Sequence, residues 1–145
     1  MGRMETLEHA RAVERGLMDI GRAANESGVS AKMIRHYETI GLLPKVARTF
    51  ANYRVYTAND VHTLRFIRRA RTLGFSMGDI RELVGLWQNK SRSSAAVKKI
   101  AGKRIEELKQ KIQELQSMLD TLQHLAGHCH GDHRPECPIL EDLAA

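Results

Sequence analysis

GVSAKMIRHYETIGLLP, residues 28–44, decides how the rest of this chain reads. Gly28 suits the C-cap of a helix whose apolar face is Ile20, Ala23 and Ala24, and Ser30 suits the N-cap of the next. That second helix runs from Ala31 to about Thr39 and buries Ile34, while Lys32, Arg35 and His36 project elsewhere; Gly41 ends it. A helix, a glycine-containing turn of a few residues and a second, basic helix constitute a helix-turn-helix signal.

Downstream of Pro44, the run from Arg48 to Tyr56 carries β-branched and aromatic residues on either side of Ala51 and Asn52, and reads as a short hairpin or wing. Thr57 with Asp60 resembles a capping box opening a helix to Leu73, stopped by Gly74. Ser76 N-caps a further helix to about Trp87, and a polar linker from Gln88 to Arg92 follows. Ala101, Ile105, Leu108, Ile112, Leu115, Leu119 and Leu122 then alternate steps of four and three, a heptad seam of about three repeats. A helix from Ser94 to Leu125 spans roughly 48 Å at about 1.5 Å per residue. Nothing else in 145 residues can cover such a seam, which predicts pairing with a second copy as a dimerisation coiled coil, with packing against the chain's own N-terminal module as the alternative. The expected organisation is an N-terminal extension over 1–17, frayed for want of apolar anchors, a DNA-binding domain over 18–87, a dimerisation helix over 93–126, and a metal-binding loop with a short helix over 127–145.

Charge placement supports the basic helix as a nucleic-acid element. The net charge is +6. Between Met18 and Phe75 ten Lys/Arg face four Asp/Glu, so the entire excess lies in that stretch and the rest is balanced. A merely soluble basic surface would spread the excess evenly; its concentration at one end is the footprint of phosphate neutralisation. Aromatics at 5% and charged residues at 28% suit a helical protein whose core is completed by a partner. No apolar run is long enough to cross a membrane. The charged first residues lack the apolar region of a signal peptide, so a cytoplasmic protein is expected. There, two cysteines are metal ligands or redox thiols before they are a structural disulfide.

Those cysteines sit in HCHGDHRPECP, residues 128–138. Gly131 and Asp132 turn the chain between Cys129 and Cys137, so the two thiols can converge on one soft ion. Thiolates favour Cu(I), Zn(II) or iron–sulfur clusters, yet two are too few for a four-coordinate cluster or a structural zinc site. His128, His130 or His133 could complete a Cys2His2 zinc site, since four of the seven histidines (His124 included) fall within this neighbourhood. A redox disulfide is the third option. Pro138 can begin a short helix, placing Cys137 at its N-cap, where the helix dipole favours a thiolate.

MDIGRAA at 18–24, the run 28–44, NYRVY at 52–56 and FIRRARTLGF at 66–75 together resemble the DNA-binding module of MerR-type transcription regulators, and the similarity extends from Met18 to the C-terminus. The resemblance implies a mainly α fold: a winged helix-turn-helix module, a long dimerisation helix that pairs as an antiparallel coiled coil, and a C-terminal metal loop. Lys32 and Arg35, three apart on one helix face, would then meet phosphates and base edges in the major groove. Tyr37, Arg48, Tyr53 and Arg54 match positions that the family uses on the DNA backbone. Adjacent residues of a strand point to opposite faces, so a turn must intervene if Tyr53 and Arg54 both touch DNA. Asn52 stands where the family often has Gly before the wing tyrosine, and Asn tolerates a left-handed backbone.

The Cys-x7-Cys loop is similar to that of the copper-responsive branch of the family. It implies one Cu(I), with Ag(I) or Au(I) as chemical equivalents, on Cys129 and Cys137 of each loop. Ser94 matches a serine that approaches the partner subunit's loop, where sensors of divalent zinc, cadmium or lead carry cysteine. Lys98 matches a basic residue near the site. By the same resemblance, a homodimer sits on double-stranded promoter DNA with an overlong spacer, and metal binding distorts that DNA so that RNA polymerase initiates at genes of copper efflux or detoxification. A divalent-metal sensor using Cys and His ligands is the alternative. A metal carrier or storage protein would need the loop but not the basic module. No nucleophile–base constellation points to an enzyme.

Overall fold

The computed structural model describes residues 16–43, 46–49 and 52–145. Most of the expected N-terminal extension, and Phe50 and Ala51 of the expected wing, therefore lie outside the described residues. The described chain is helical: α1 (Ile20–Ser27), α2 (Ala31–Thr39), α3 (Ala58–Thr72), α4 (Met77–Gln88), α5 (Ser94–His128) and α6 (Pro138–Ala144). Extended pairing among the described residues is limited to two isolated antiparallel bridges, Met18 with Tyr56 and Arg48 with Arg54. The chain divides into two compact units, one up to Val97 and one from Lys98 onward. None of the described helices is long and apolar enough to cross a membrane.

In the first unit, local chemistry sets the helix ends. Asp19 caps α1 by accepting from the Arg22 N–H at 2.9 Å. Gly28 closes it in a left-handed conformation, φ 74°, its N–H donating to the Ala24 carbonyl. Two residues later Ser30 caps α2, accepting from the Met33 N–H at 3.2 Å. At α3 the capping box is complete: Thr57 N–H donates to the Asp60 carboxylate at 2.9 Å, and Asp60 N–H to the Thr57 hydroxyl at 3.1 Å. Each such cap contributes about 1 kcal/mol. Ser76 caps α4 through the Asp79 N–H.

These short helices are held by one core. Ile34 of α2, Leu64 and Ile67 of α3 and Ile80 of α4 are completely buried, joined by Tyr37 and Tyr56. Burying each large side chain contributes roughly 1.5–3 kcal/mol, which is what fixes helices too short to be stable alone. Phe66 of α3 and Trp87 of α4 add a parallel ring stack at 4.6 Å between centroids. The wing hangs from this core. Val55 N–H donates to the Ala47 carbonyl and Thr49 N–H to the Tyr53 carbonyl, while Asn52 takes φ 69° in the left-handed region.

In the second unit α5 runs past the expected Leu125 to His128. Its extra turn is supported by the rings of His124 and His128, 4.3 Å apart, with the His128 Nδ1 2.7 Å from the His124 carbonyl oxygen. The heptad positions are largely uncovered: Ile112 is 65% exposed and Leu115 and Leu122 are each 54% exposed.

Candidate functional site

The first group of candidate residues surrounds α2 and the wing. Lys32 and Arg35 are exposed on α2, and Tyr53 is exposed on the wing. The other three candidates are engaged within the protein. Tyr37 is 1% exposed, and its hydroxyl accepts from Arg71 Nη1 at 2.7 Å. Arg48 folds over the wing turn, Nη1 donating to the Asn52 carbonyl at 3.2 Å. Arg54 turns inward, its Nε 2.9 Å from Glu38 Oε2 at the C-terminal end of α2.

Tyr56 lies behind that ion pair. Its hydroxyl is buried without a hydrogen-bond partner among the described residues. Burial first, and the Glu38 carboxylate second, push its pKa above the ordinary tyrosine value.

Sequence reasoning did not find Glu38 as part of this surface, and it read the basic run Arg65, Arg68, Arg69 and Arg71 as a helix face that either touches flanking phosphates or is simply solvated. Arg68 and Arg71 of α3 line a shallow groove with Gly28, Ser30, Met33 and Tyr37, at the N-terminus of α2. Their basic run was visible in the sequence, but its relation to α2 depends on how α3 crosses the core.

The second group is the loop after α5. The sulfurs of Cys129 and Cys137 lie 3.9 Å apart, both half-buried and free of any disulfide. A disulfide needs about 2.05 Å. Two sulfurs on one ion at about 2.3 Å each can stand up to about 4.6 Å apart, so the pair fits a single shared cation. Gly131, at φ 65°, turns the chain between them. Asp132 fixes the following bend, accepting from the Arg134 N–H at 2.9 Å.

Cys137 is the N-cap of α6 and Pro138 its first residue. The thiol makes no formal capping hydrogen bond. The backbone N–H of Leu140, and more weakly that of Ile139, nonetheless hold its pKa below the usual thiol value with help from Cys129; loss of hydration, and to a lesser degree Glu141, opposes them. Among the described residues no three of His, Cys, Asp and Glu gather closely enough to hold a metal. His128, His130 and His133 thus do not join the two sulfurs in a ready-made site. Ser94 and Lys98 are exposed in the first turns of α5. Between Lys98 and Cys129 runs roughly 45 Å of helix at about 1.5 Å per residue.

Residues 18–85 match the model for the MerR HTH family regulatory protein, and residues 61–125 match the model for MerR, DNA binding. The chain is 58% identical over 127 residues to heavy metal-dependent transcription regulator 2 of Rhizobium meliloti, covering 88% of this chain and 86% of that protein. It is 39% identical to the HTH-type transcriptional regulator CueR of Salmonella typhimurium, over 88% of this chain and 92% of that one. Among solved structures, the transcription regulator PbrR691 of Ralstonia metallidurans in complex with lead(II) superposes with a TM-score of 0.75 at 30% identity, covering 87% of this chain and 98% of that one. With a winged helix-turn-helix built on a capped, basic α2 and relatives this similar over nearly their whole length, the chain belongs to the MerR family of DNA-binding transcriptional regulators.

Proposed function

We propose that this chain is a homodimeric, metal-responsive regulator that activates copper efflux or detoxification genes, with one Cu(I) (or Ag(I) or Au(I)) on the Cys129–Cys137 pair of each loop. The observation that carries the reading is the 3.9 Å separation of two free sulfurs at the start of a helix. Two thiolates and a monovalent cation leave one net negative charge, which the N–H groups of α6 are placed to accept. Cys129 and Cys137 supply two sulfur ligands, fewer than a four-ligand zinc site takes. The similarity to a regulator named as heavy metal-dependent supports the metal response itself.

On the DNA side, exposed Lys32 and Arg35 are the proposed groove contacts and Tyr53 the proposed wing contact, with Tyr37, Arg48 and Arg54 completing the surface from behind. The uncovered heptad positions of α5 support a second copy as partner in an antiparallel coiled coil. In such a dimer Ser94 and Lys98 approach the partner subunit's loop. The bound ion would supply a fixed link between the two sulfurs. The dimer's promoter DNA and RNA polymerase are its working partners, in the cytoplasm.

A divalent reading has one specific observation in its favour, the lead(II) complex of the structural neighbour. Run-off transcription from the promoter, titrating Cu(I) against Zn(II) under reducing conditions, separates the two. Activation by Cu(I), lost in Cys129→Ser and Cys137→Ser, is the expected result. Activation by zinc alone, or a full copper response in either variant, overturns the copper assignment.

A further inference from the structure

We propose that Arg54 is a positioning residue: paired with Glu38, it locks the wing onto α2 and so presents Tyr53 to DNA. The inference rests on the DNA interface proposed above. Arg54 Nε and Glu38 Oε2 form an ion pair at 2.9 Å, and both atoms are sealed from solvent with no hydrogen-bond partner among the described residues, so each depends on the charge of the other. The side chains around them are only 29% and 16% exposed. An Arg54 that left this contact for a phosphate would strand a buried carboxylate.

The position of Glu38 is otherwise hard to explain. It is a carboxylate in the last turn of a helix, where the dipole disfavours negative charge, inside the module that carries the chain's whole positive excess. Facing DNA it would repel phosphates; facing Arg54 it is neutralised and useful. Arg54 also forms the wing's bridge to Arg48, so fixing it fixes the hairpin. Neighbouring residues of an extended chain point to opposite sides, so an inward Arg54 goes with an outward Tyr53, which is 59% exposed.

The test compares wild type with Glu38→Gln and Arg54→Gln in the full-length protein, and has two arms. Hydrogen exchange without DNA reads the wing: the Thr49 and Val55 amides should exchange at least about tenfold faster in both variants, while the Ile80 amide of α4 keeps its protection and reports an intact fold. The second arm measures affinity, against salt concentration, for a duplex that the wild-type protein selects from a random-sequence library. Both variants should bind about tenfold more weakly with the wild-type salt slope, because the misplaced contact is the uncharged Tyr53 and no cation has left a phosphate. Removing an acid from a DNA-binding face would otherwise leave binding equal or tighter, so weakening by Glu38→Gln is the distinctive result. Unchanged wing exchange in Glu38→Gln, or a salt slope lower by about 0.9 in Arg54→Gln, overturns the proposal. Failure of the wild type to select any sequence overturns the DNA interface instead, and the exchange arm still decides whether the ion pair braces the wing.

Discussion

Cys129 and Cys137 hold their sulfurs 3.9 Å apart across a turn in which Gly131 is left-handed. The pair comes together without a disulfide and with no metal-sized group of other ligands among the described residues. A site of two sulfurs has no reserve: losing either one leaves a single soft ligand. Cys129→Ser and Cys137→Ser should each lower Cu(I) affinity by at least about 100-fold, more than the roughly 10–100-fold typical of losing an outer-shell partner. Competition against a colorimetric Cu(I) chelator measures this. Near-wild-type affinity in either variant would mean that the sulfurs do not act together.

The same loop makes a prediction about protonation. N–H groups of Leu140 and Ile139 lower the Cys137 pKa, and Glu141 raises it. The thiolate is therefore favoured in the fold, and the group ionises at lower pH than a free cysteine near 8.5, about the usual value. The alkylation rate of Cys137 by iodoacetamide, followed by peptide mass mapping in the metal-free protein, should reach half its maximum at a lower pH than that of an unstructured cysteine peptide alkylated alongside it. Glu141→Gln removes the opposing charge and should move the midpoint lower still. A midpoint above the ordinary thiol value would show that the α6 N–H groups do not reach the sulfur.

What the sequence revealed, and what it hid, follows from the range of the interactions. Gly28, Ser30, Thr57 with Asp60, and Ser76 act within a turn of where they stand, so their residue types announce the helix ends they make. The heptad seam is also local, being a repeat along one helix. Asn52 was readable for the same reason: it is the residue besides Gly that most readily takes φ 69°. Tyr37 with Arg71, and Glu38 with Arg54, are different. Each joins two segments that meet only after the core has formed, and no spacing rule links them. Tyr37 and Arg54 look like surface groups in the sequence because their partners are invisible there. The cysteines lie between these cases: the turn was legible, the sulfur separation was not.

Tyr56 gives a stability test of the interior. Its ring fills the core, but its hydroxyl is buried with no hydrogen-bond partner among the described residues. An unsatisfied buried hydroxyl costs about 1–3 kcal/mol, whereas the ring's packing survives in phenylalanine. Tyr56→Phe should therefore be neutral or stabilising by up to about 1 kcal/mol in chemical denaturation at neutral pH. A loss of more than about 1 kcal/mol would show that the hydroxyl has a partner, such as an ordered water.

Gly28 tests the junction on which the helix-turn-helix depends, and two costs can be separated there. Its φ of 74° is a conformation that a side chain disfavours by roughly 1 kcal/mol. A Cβ would also stand 2.5 Å from Arg68 Nη1 and 3.0 Å from its Cζ. The second contact is with the far end of a flexible side chain, so it can be relieved by moving Arg68 away from the groove it shares with Ser30 and Tyr37. The backbone strain cannot be relieved without undoing the α1 cap. Gly28→Ala should thus destabilise the protein by about 1–2 kcal/mol, and Gly28→Ala compared in an Arg68→Ala background by only the backbone part, about 1 kcal/mol. Denaturant unfolding of the four proteins closes the cycle. Equal costs in both backgrounds would mean that Arg68 moves freely and the strain is the whole effect; no cost in either would mean that the turn between α1 and α2 does not require a left-handed residue.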